Sequence, residues 1–369
     1  MTTAFFWDER TFWHTGHGYA LTAPVKDLVQ PLPDGFPDGP ESKRRLKNLI
    51  EMSGLVRDLR MQGAPEAPLD DLIRVHSSSY LGAFKKMSDA GGGELGPRAP
   101  FGWGGYEIAT QSAGLALGAL EAVLQSDVDN AYALCRPPGH HCLPEFPNGF
   151  CLLANIAVAI EAMRARDLLG RVAVVDWDVH HGNGTEAIFY DRADVLTISL
   201  HQERNYPTDT GDVADLGTGP GHGRNLNIPL PPGTGHVGYL EAVDRLVAPA
   251  LEWFEPEAII VAAGYDAAAF DPLGRMLATA ETFRAMTLRL KDLAGTLCDG
   301  RLVLVHEGGY SEVYTPFCAH AAIEVLAASD KKAADPFADV LDQRQPSSAF
   351  DAFVGRHIQE IEEYVRDKT

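Results

Sequence analysis

The sequence predicts an α/β fold: a single domain in which a mostly parallel β-sheet carries helices on both faces, with the active site at the C-terminal ends of the strands. Three observations predict it. Short apolar runs rich in Val and Ile lack the polar alternation of a half-exposed strand, as expected of strands covered on both sides. Helical patterns lie between and around them. Clusters of polar residues follow the apolar runs, at the strand ends where open α/β sheets place their ligands.

In chain order the expected strands are 132–134, 172–175, 195–200, 226–228, 258–263 and 302–305. The expected helices are 42–60, 106–124, 155–166, 237–253, 280–297 and 316–327. Pro/Gly-rich loops fall at 30–40, 89–105 and 204–224, and loops of that length inside a domain tend to line functional sites or interfaces. No Ser/Gly linker, low-complexity tract or internal repeat divides the chain. Residues 1–369 therefore read as one catalytic domain, with a core over about 10–330 and a helical tail over about 334–369 that is suited to assembly.

A net charge of −20 argues against nucleic acid or an anionic membrane as partner and is compatible with a cationic substrate, or simply with solubility. The five cysteines are odd in number and scattered, so they form no disulfide framework and point to a reducing, cytoplasmic compartment. Cys142 and Cys151 flank the loop at 143–150, where redox control or ordinary buried thiols are both compatible with the sequence. No apolar stretch is long enough for a membrane span.

Four clusters follow expected strands: Arg136-Pro137-Pro138-Gly139-His140-His141, Asp176 to Gly184, Gly264-Tyr265-Asp266, and His306-Glu307-Gly308-Gly309-Tyr310. In a parallel sheet these ends face one way and the clusters can converge. Asp178, His180 and Asp266 then make a three-ligand site whose two carboxylates offset a divalent ion, with room left for water and substrate, as in catalytic zinc sites. Fe(II) suits the same ligands. An extended Asp178-Val179-His180 would put its two ligands on one side. Adjacent His140 and His141 suit proton transfer, with Asp176 and Asn183 as orienting partners. A carboxylate and an amide partner would separate their pKa values. Tyr310 could donate to an oxyanion opposite the metal, or be a core Tyr after a turn. Glu307 reads as structural, with a role as an extra metal ligand the alternative.

These residues resemble the histone deacetylase superfamily, in its arginase-like α/β fold. The matching text is Arg136-Pro-Pro-Gly-His-His141, Gly149-Phe150-Cys151, Asp176-Trp-Asp-Val-His-His-Gly-Asn-Gly-Thr185, Ser199-Leu200-His201, Gly264-Tyr-Asp-Ala267, Asp271-Pro-Leu-Gly274 and Glu307-Gly-Gly-Tyr310, over roughly residues 10–330. Asn183, where class I enzymes carry Asp, is similar to the class II branch and its bacterial amidohydrolase and acetylpolyamine amidohydrolase relatives. The resemblance implies zinc at Asp178, His180 and Asp266, proton handling by His140 and His141, and oxyanion stabilisation by Tyr310. It implies a structural monovalent cation, K⁺ or Na⁺, near Asp176, Asp178, His180, Ser199 and Leu200, and a second near Phe189, Arg192 and Val195. The implied reaction is metal-assisted hydrolysis of a linear amide C–N bond, giving acetate or another carboxylate and a free amine.

The implied substrate channel runs past Gly149, Phe150, Tyr206 and Leu273. Tyr206 stands where Phe is expected, which adds a hydroxyl to the wall. Leu273 stands where dedicated vertebrate polyamine deacetylases carry a Glu gatekeeper. Acetylated polyamines, acetyl-lysine-like amines and small or xenobiotic amides all remain open as substrates. A catalytically silent acyl-ligand binder would not need His140, His141 and Tyr310. A two-metal arginase-like hydrolase would need ligands beyond Asp178, His180 and Asp266. By analogy with the family, a homodimer or homotetramer is expected.

Overall fold

The computed structural model describes residues 2–16, 19–20, 23–30 and 37–368. Most of the expected loop at 30–40 lies outside the described residues. Among those described, eight strands form one sheet, and every pairing in it is parallel. Across the sheet they run Asn225–Leu230, Val195–Gln202, Val172–Asp176, Ala258–Ala263, Leu302–His306, Asn130–Ala133, Thr3–Phe6 and Leu59–Gln62.

Successive residues of the central strands feed two different cores, because strand side chains alternate faces. Ala173, Val175, Ile259, Val261, Leu302 and Leu304 pack on one side, with Leu46, Tyr239, Phe283 and Ile323 from the helices that cover it. Val172, Val174, Ala258, Ile260, Val303 and Val305 pack on the other, against residues such as Leu115, Ile156 and Ile160. Both faces are apolar, so the strands read as unbroken hydrophobic runs.

Two strands of this sheet were not expected, Thr3–Phe6 and Leu59–Gln62, nor were the small antiparallel pairs Tyr19–Ala20 with Ala23–Pro24 and Gly92–Glu94 with Pro100–Gly102. At four residues or fewer, each is too short to carry a period. The expected helix 42–60 ends earlier, as Glu41–Ser53, and a short 3₁₀ turn leads into Leu59–Gln62. A further helix, Ser78–Asp89, starts at Ser77, whose Oγ accepts from the Tyr80 N–H at 3.3 Å. The expected helix 237–253 is His236–Ala242 and Ala248–Phe254, joined by a wider π turn at Val243–Val247. The tail folds as Ala338–Gln343 and Ser348–Lys368, which buries Val354, Ile358 and Ile361 at helical spacing.

The four strands that precede the polar clusters are neighbours: Val172–Asp176, Ala258–Ala263, Leu302–His306 and Asn130–Ala133. Their ends are level, with Asp176 opposite Ala262, Ala263 opposite His306 and Ala133 opposite Val305. Chain order reverses across this group, since Asn130–Ala133 lies beyond the two later strands. Such a switch point opens a crevice at the strand ends.

Candidate metal centre and channel

The expected ligands meet. One donor atom each from Asp178, His180 and Asp266 lies within 4.8 Å of the others, and all three residues are buried. The Asp178-Val179-His180 stretch is bent rather than extended. Its turn lets the His180 N–H donate to Asp178 Oδ1 at 2.9 Å and leaves His180 Nδ1 2.9 Å from the same oxygen. His180 Nδ1 is also 3.1 Å from Asp266 Oδ2. Backbone N–H groups hold the outer oxygens: Gly308 donates to Asp178 Oδ2 at 2.8 Å, and Val179 to Asp266 Oδ1 at 2.8 Å.

This arrangement fits a divalent cation. Asp266 Oδ2 is buried, and its 3.1 Å approach to His180 Nδ1 lacks hydrogen-bond geometry, a costly state that a metal relieves. Gly308 is required by close approach, because a Cβ there would stand 2.1 Å from Asp266 Oδ2 and 2.5 Å from Asp178 Oδ2. Without a metal, burial opposes the His180 imidazolium, yet the Asp266 and Asp178 carboxylates outweigh burial and raise its pKa. A proton then stands where a cation would.

Each histidine of the adjacent pair has its expected partner. His140 Nδ1 donates to Asp176 Oδ2 at 2.9 Å, and His141 Nδ1 to Asn183 Oδ1 at 2.8 Å. The rings are 3.9 Å apart. Burial lowers both pKa values, but Asp178 and Asp176 more than reverse this for His140. His141, beside His140 and His180, stays well below the usual histidine range. The two values thus lie apart through the carboxylates beside His140 and through the burial and neighbouring rings of His141. The Gly182-Asn183-Gly184 stretch opens the helix Asn183–Phe189, which fixes Asn183 under His141.

A cavity of about 460 Å³ leads to this group, with His141, His180 and Tyr310 among its lining residues. Gly149, Phe150, Tyr206 and Leu273 line it as well. Gly149 and Phe150 both have positive φ, 51° and 68°. A Cβ on Gly149 would stand 2.5 Å from His141 Cδ2 and 2.8 Å from Tyr206 Cε1, so only glycine keeps the passage open there. The Tyr206 hydroxyl, expected as a polar addition to the wall, donates instead to Asn148 Oδ1 at 2.5 Å. Arg98 stacks 4.8 Å over the Tyr206 ring and also lines the cavity.

Some residues of the clusters lie elsewhere. Arg136 is buried and donates to the carbonyls of Thr11, His14 and Asp38, stitching the N-terminal segment to the sheet. His306 Nδ1 lies 2.6 Å from the Tyr132 hydroxyl in the core, and His181 meets Thr210 and Glu186. Glu307 Oε2 accepts from the N–H groups of Gly139 at 2.6 Å and His140 at 3.1 Å. Asp176 and Ser199 are register partners on neighbouring strands, with Leu200 next in line. Phe189 and Arg192 meet through an N–H···O bond of 3.0 Å just before Val195.

Two contributors were not foreseen. Asp271 Oδ2 accepts from the N–H groups of Tyr310 at 2.7 Å and Ser311 at 3.1 Å, which positions Tyr310. Lys43, fully buried and 2.8 Å from Asp38 Oδ1, places its ammonium 5.7 Å from the Tyr310 ring. The Asp271-Pro-Leu-Gly274 text carried a signal for the first. An amphipathic helix gave none for the second.

Comparison with known proteins shows the family and the fold. The histone deacetylase domain model matches residues 38–326. The chain is 54% identical over 360 residues to a histone deacetylase-like amidohydrolase of Pseudomonas aeruginosa, covering 97% of this chain and 95% of that protein. It is 40% identical over 269 residues to a probable deacetylase of Archaeoglobus fulgidus, covering 73% and 74%. The crystal structure of the HDA15 HD domain superposes with a TM-score of 0.81 at 30% identity, covering 99% of this chain and 97% of that one.

Proposed function

Since the chain belongs to the histone deacetylase family, we propose that it is a zinc-dependent amide hydrolase that removes an acyl group, acetyl first among them, from an amine. The observation that carries this reading is the meeting of Asp178, His180 and Asp266 beside a cavity that His141 and Tyr310 also line. Zinc held there lowers the pKa of water and polarises a carbonyl. Iron(II) suits the same three ligands.

The remaining roles fall to the chain's own groups. His141 lines the cavity and takes the proton of the attacking water, with His140 stacked behind it on Asp176. Tyr310 donates to the carbonyl oxygen as negative charge develops on it. The histidine pair then returns a proton to the departing amine. Phe150 and Tyr206 wall the stem of the substrate, and Gly149 leaves it space. A potassium or sodium ion at Asp176, Asp178, His180, Ser199 and Leu200 would brace the strand ends, and a second at Phe189, Arg192 and Val195 the helix that carries Asn183.

The first substrate class is an acetylated polyamine or an acetyl-lysine-like amine, which the acidic chain attracts. One observation favours small neutral amides instead: in the cavity wall the Arg98 charge over Tyr206 offsets the carboxylate of Glu94, and Leu273 adds none. The test is turnover of the zinc-loaded protein on N-acetylputrescine, N-acetylcadaverine, an acetyl-lysine peptide and neutral N-alkyl and N-aryl amides. Preference for the cationic acetyl-amines supports the first class and preference for neutral amides the second. No hydrolysis of any of them overturns the proposed function.

A further inference from the structure

Next to the first metal cluster lies another set of ligand atoms that the reaction does not use together. His140, Cys151 and Glu307 each place one donor atom within 4.8 Å of the others, and all three are buried. They come from three separate segments, after Asn130–Ala133, after Gly149-Phe150 and after Leu302–His306, so they are not neighbours by sequence. Glu307 Oε1 is fully buried without a hydrogen-bond partner, although Oε2 is doubly engaged. An orphaned carboxylate oxygen in the core is costly unless something occupies its lone pairs.

We propose that His140, Cys151 and Glu307 form a second metal site that takes a soft divalent cation, and that an ion there stops the reaction. The donor set is one imidazole, one sulfur and one carboxylate, the mixture that suits zinc and softer ions rather than magnesium or calcium. Binding replaces the Cys151 thiol proton by an S–metal bond and the proton on His140 Nε2 by an N–metal bond, and both protons leave to solvent. Here the second ion comes at the cost of catalysis. His140 Nδ1 is committed to Asp176, so the ion takes Nε2, the nitrogen 3.9 Å from Asp178 Oδ2. That imidazole can then no longer exchange protons. The loss of turnover, though not the site itself, rests on the zinc reading above.

The probe is cadmium alone, added to the zinc-loaded protein. Metal per chain is counted after desalting, and thiolate-to-cadmium charge-transfer absorbance is followed in the ultraviolet. The first site contains no sulfur, so cadmium exchanging into it gives no such band. The wild type is expected to reach two metals per chain, gain the band and lose turnover. Cys151→Ser is expected to hold one metal and give no band, with the midpoint of inhibition shifted upward by about tenfold or more. Glu307→Gln, which keeps the size of the side chain, is expected to weaken the second equivalent in the same way. One metal per chain with no band in the wild type overturns the proposal, as does a band that survives Cys151→Ser. Protein that holds no zinc yet gives the band keeps this site and overturns the zinc reading. Zinc-loaded protein with no band does the reverse.

Discussion

Asp266 divides its work between two oxygens: Oδ1 accepts from the Val179 N–H, and Oδ2 faces the ligand cluster with no hydrogen bond. Asp266→Ala removes both, so metal binding and turnover should be lost together. Normal turnover with full zinc occupancy would remove this residue from the ligand set. Tyr310 is different, since in the proposed reaction its hydroxyl serves only the developing charge. Tyr310→Phe should keep one zinc per chain while kcat falls by about 10²-fold or more, and an unchanged kcat would remove the oxyanion role. Asp271 acts on the same step through the backbone. Asp271→Ala frees the N–H groups of Tyr310 and Ser311, so kcat should fall with zinc retained, and the protein should lose about 1–3 kcal/mol of stability. A kcat that did not move would confine Asp271 to stability.

The elements explain why so much of the centre was legible in the chain. Asp178, His180 and Asp266 each sit just past a Val/Ile-rich run, and parallel strands point such ends the same way. His140 and His141 gained their partners by the same route, because Asp176 and Asn183 bracket the next strand end. What escaped notice depends on tertiary approach. Thr3–Phe6 and Leu59–Gln62 are too short to show a period. Lys43 is an ordinary helical lysine until its helix packs beside Tyr310. The Tyr206 hydroxyl could not be seen to turn toward Asn148. The close-packed ends also make a prediction about the Glu307-Gly308-Gly309 turn. Gly308→Ala places a methyl among the Asp178 and Asp266 oxygens, so zinc affinity should fall by about 10- to 100-fold while the fold persists. Unaltered affinity would mean that the carboxylates are not held where they appear.

At the scale of the molecule, a buried neutral histidine ties the fold to pH. Burial lowers the His76 pKa from 6.5 to about 4. Its Nε2 accepts from the Ala154 N–H at 3.0 Å, which only the neutral ring can do. The unfolded chain therefore binds more protons between these values. His76 contributes its stability above about pH 6.5 and loses it progressively as the pH falls toward 4. His76→Gln should lower Tm at pH 7.5 and show a smaller further drop between pH 6.5 and 4.5 than the wild type. Equal slopes would mean that His76 does not carry this dependence. The proposed function also belongs to the whole molecule, since in it four neighbouring strand ends bring one metal to one amide. The measurement that tests it most directly strips the protein of metal, reloads it with zinc and follows acetate release against zinc bound per chain. Turnover that rises in proportion to the first zinc, and is absent in Asp266→Ala, is the result expected. Hydrolysis that persists in the stripped protein, or that is independent of the first zinc, would contradict the account.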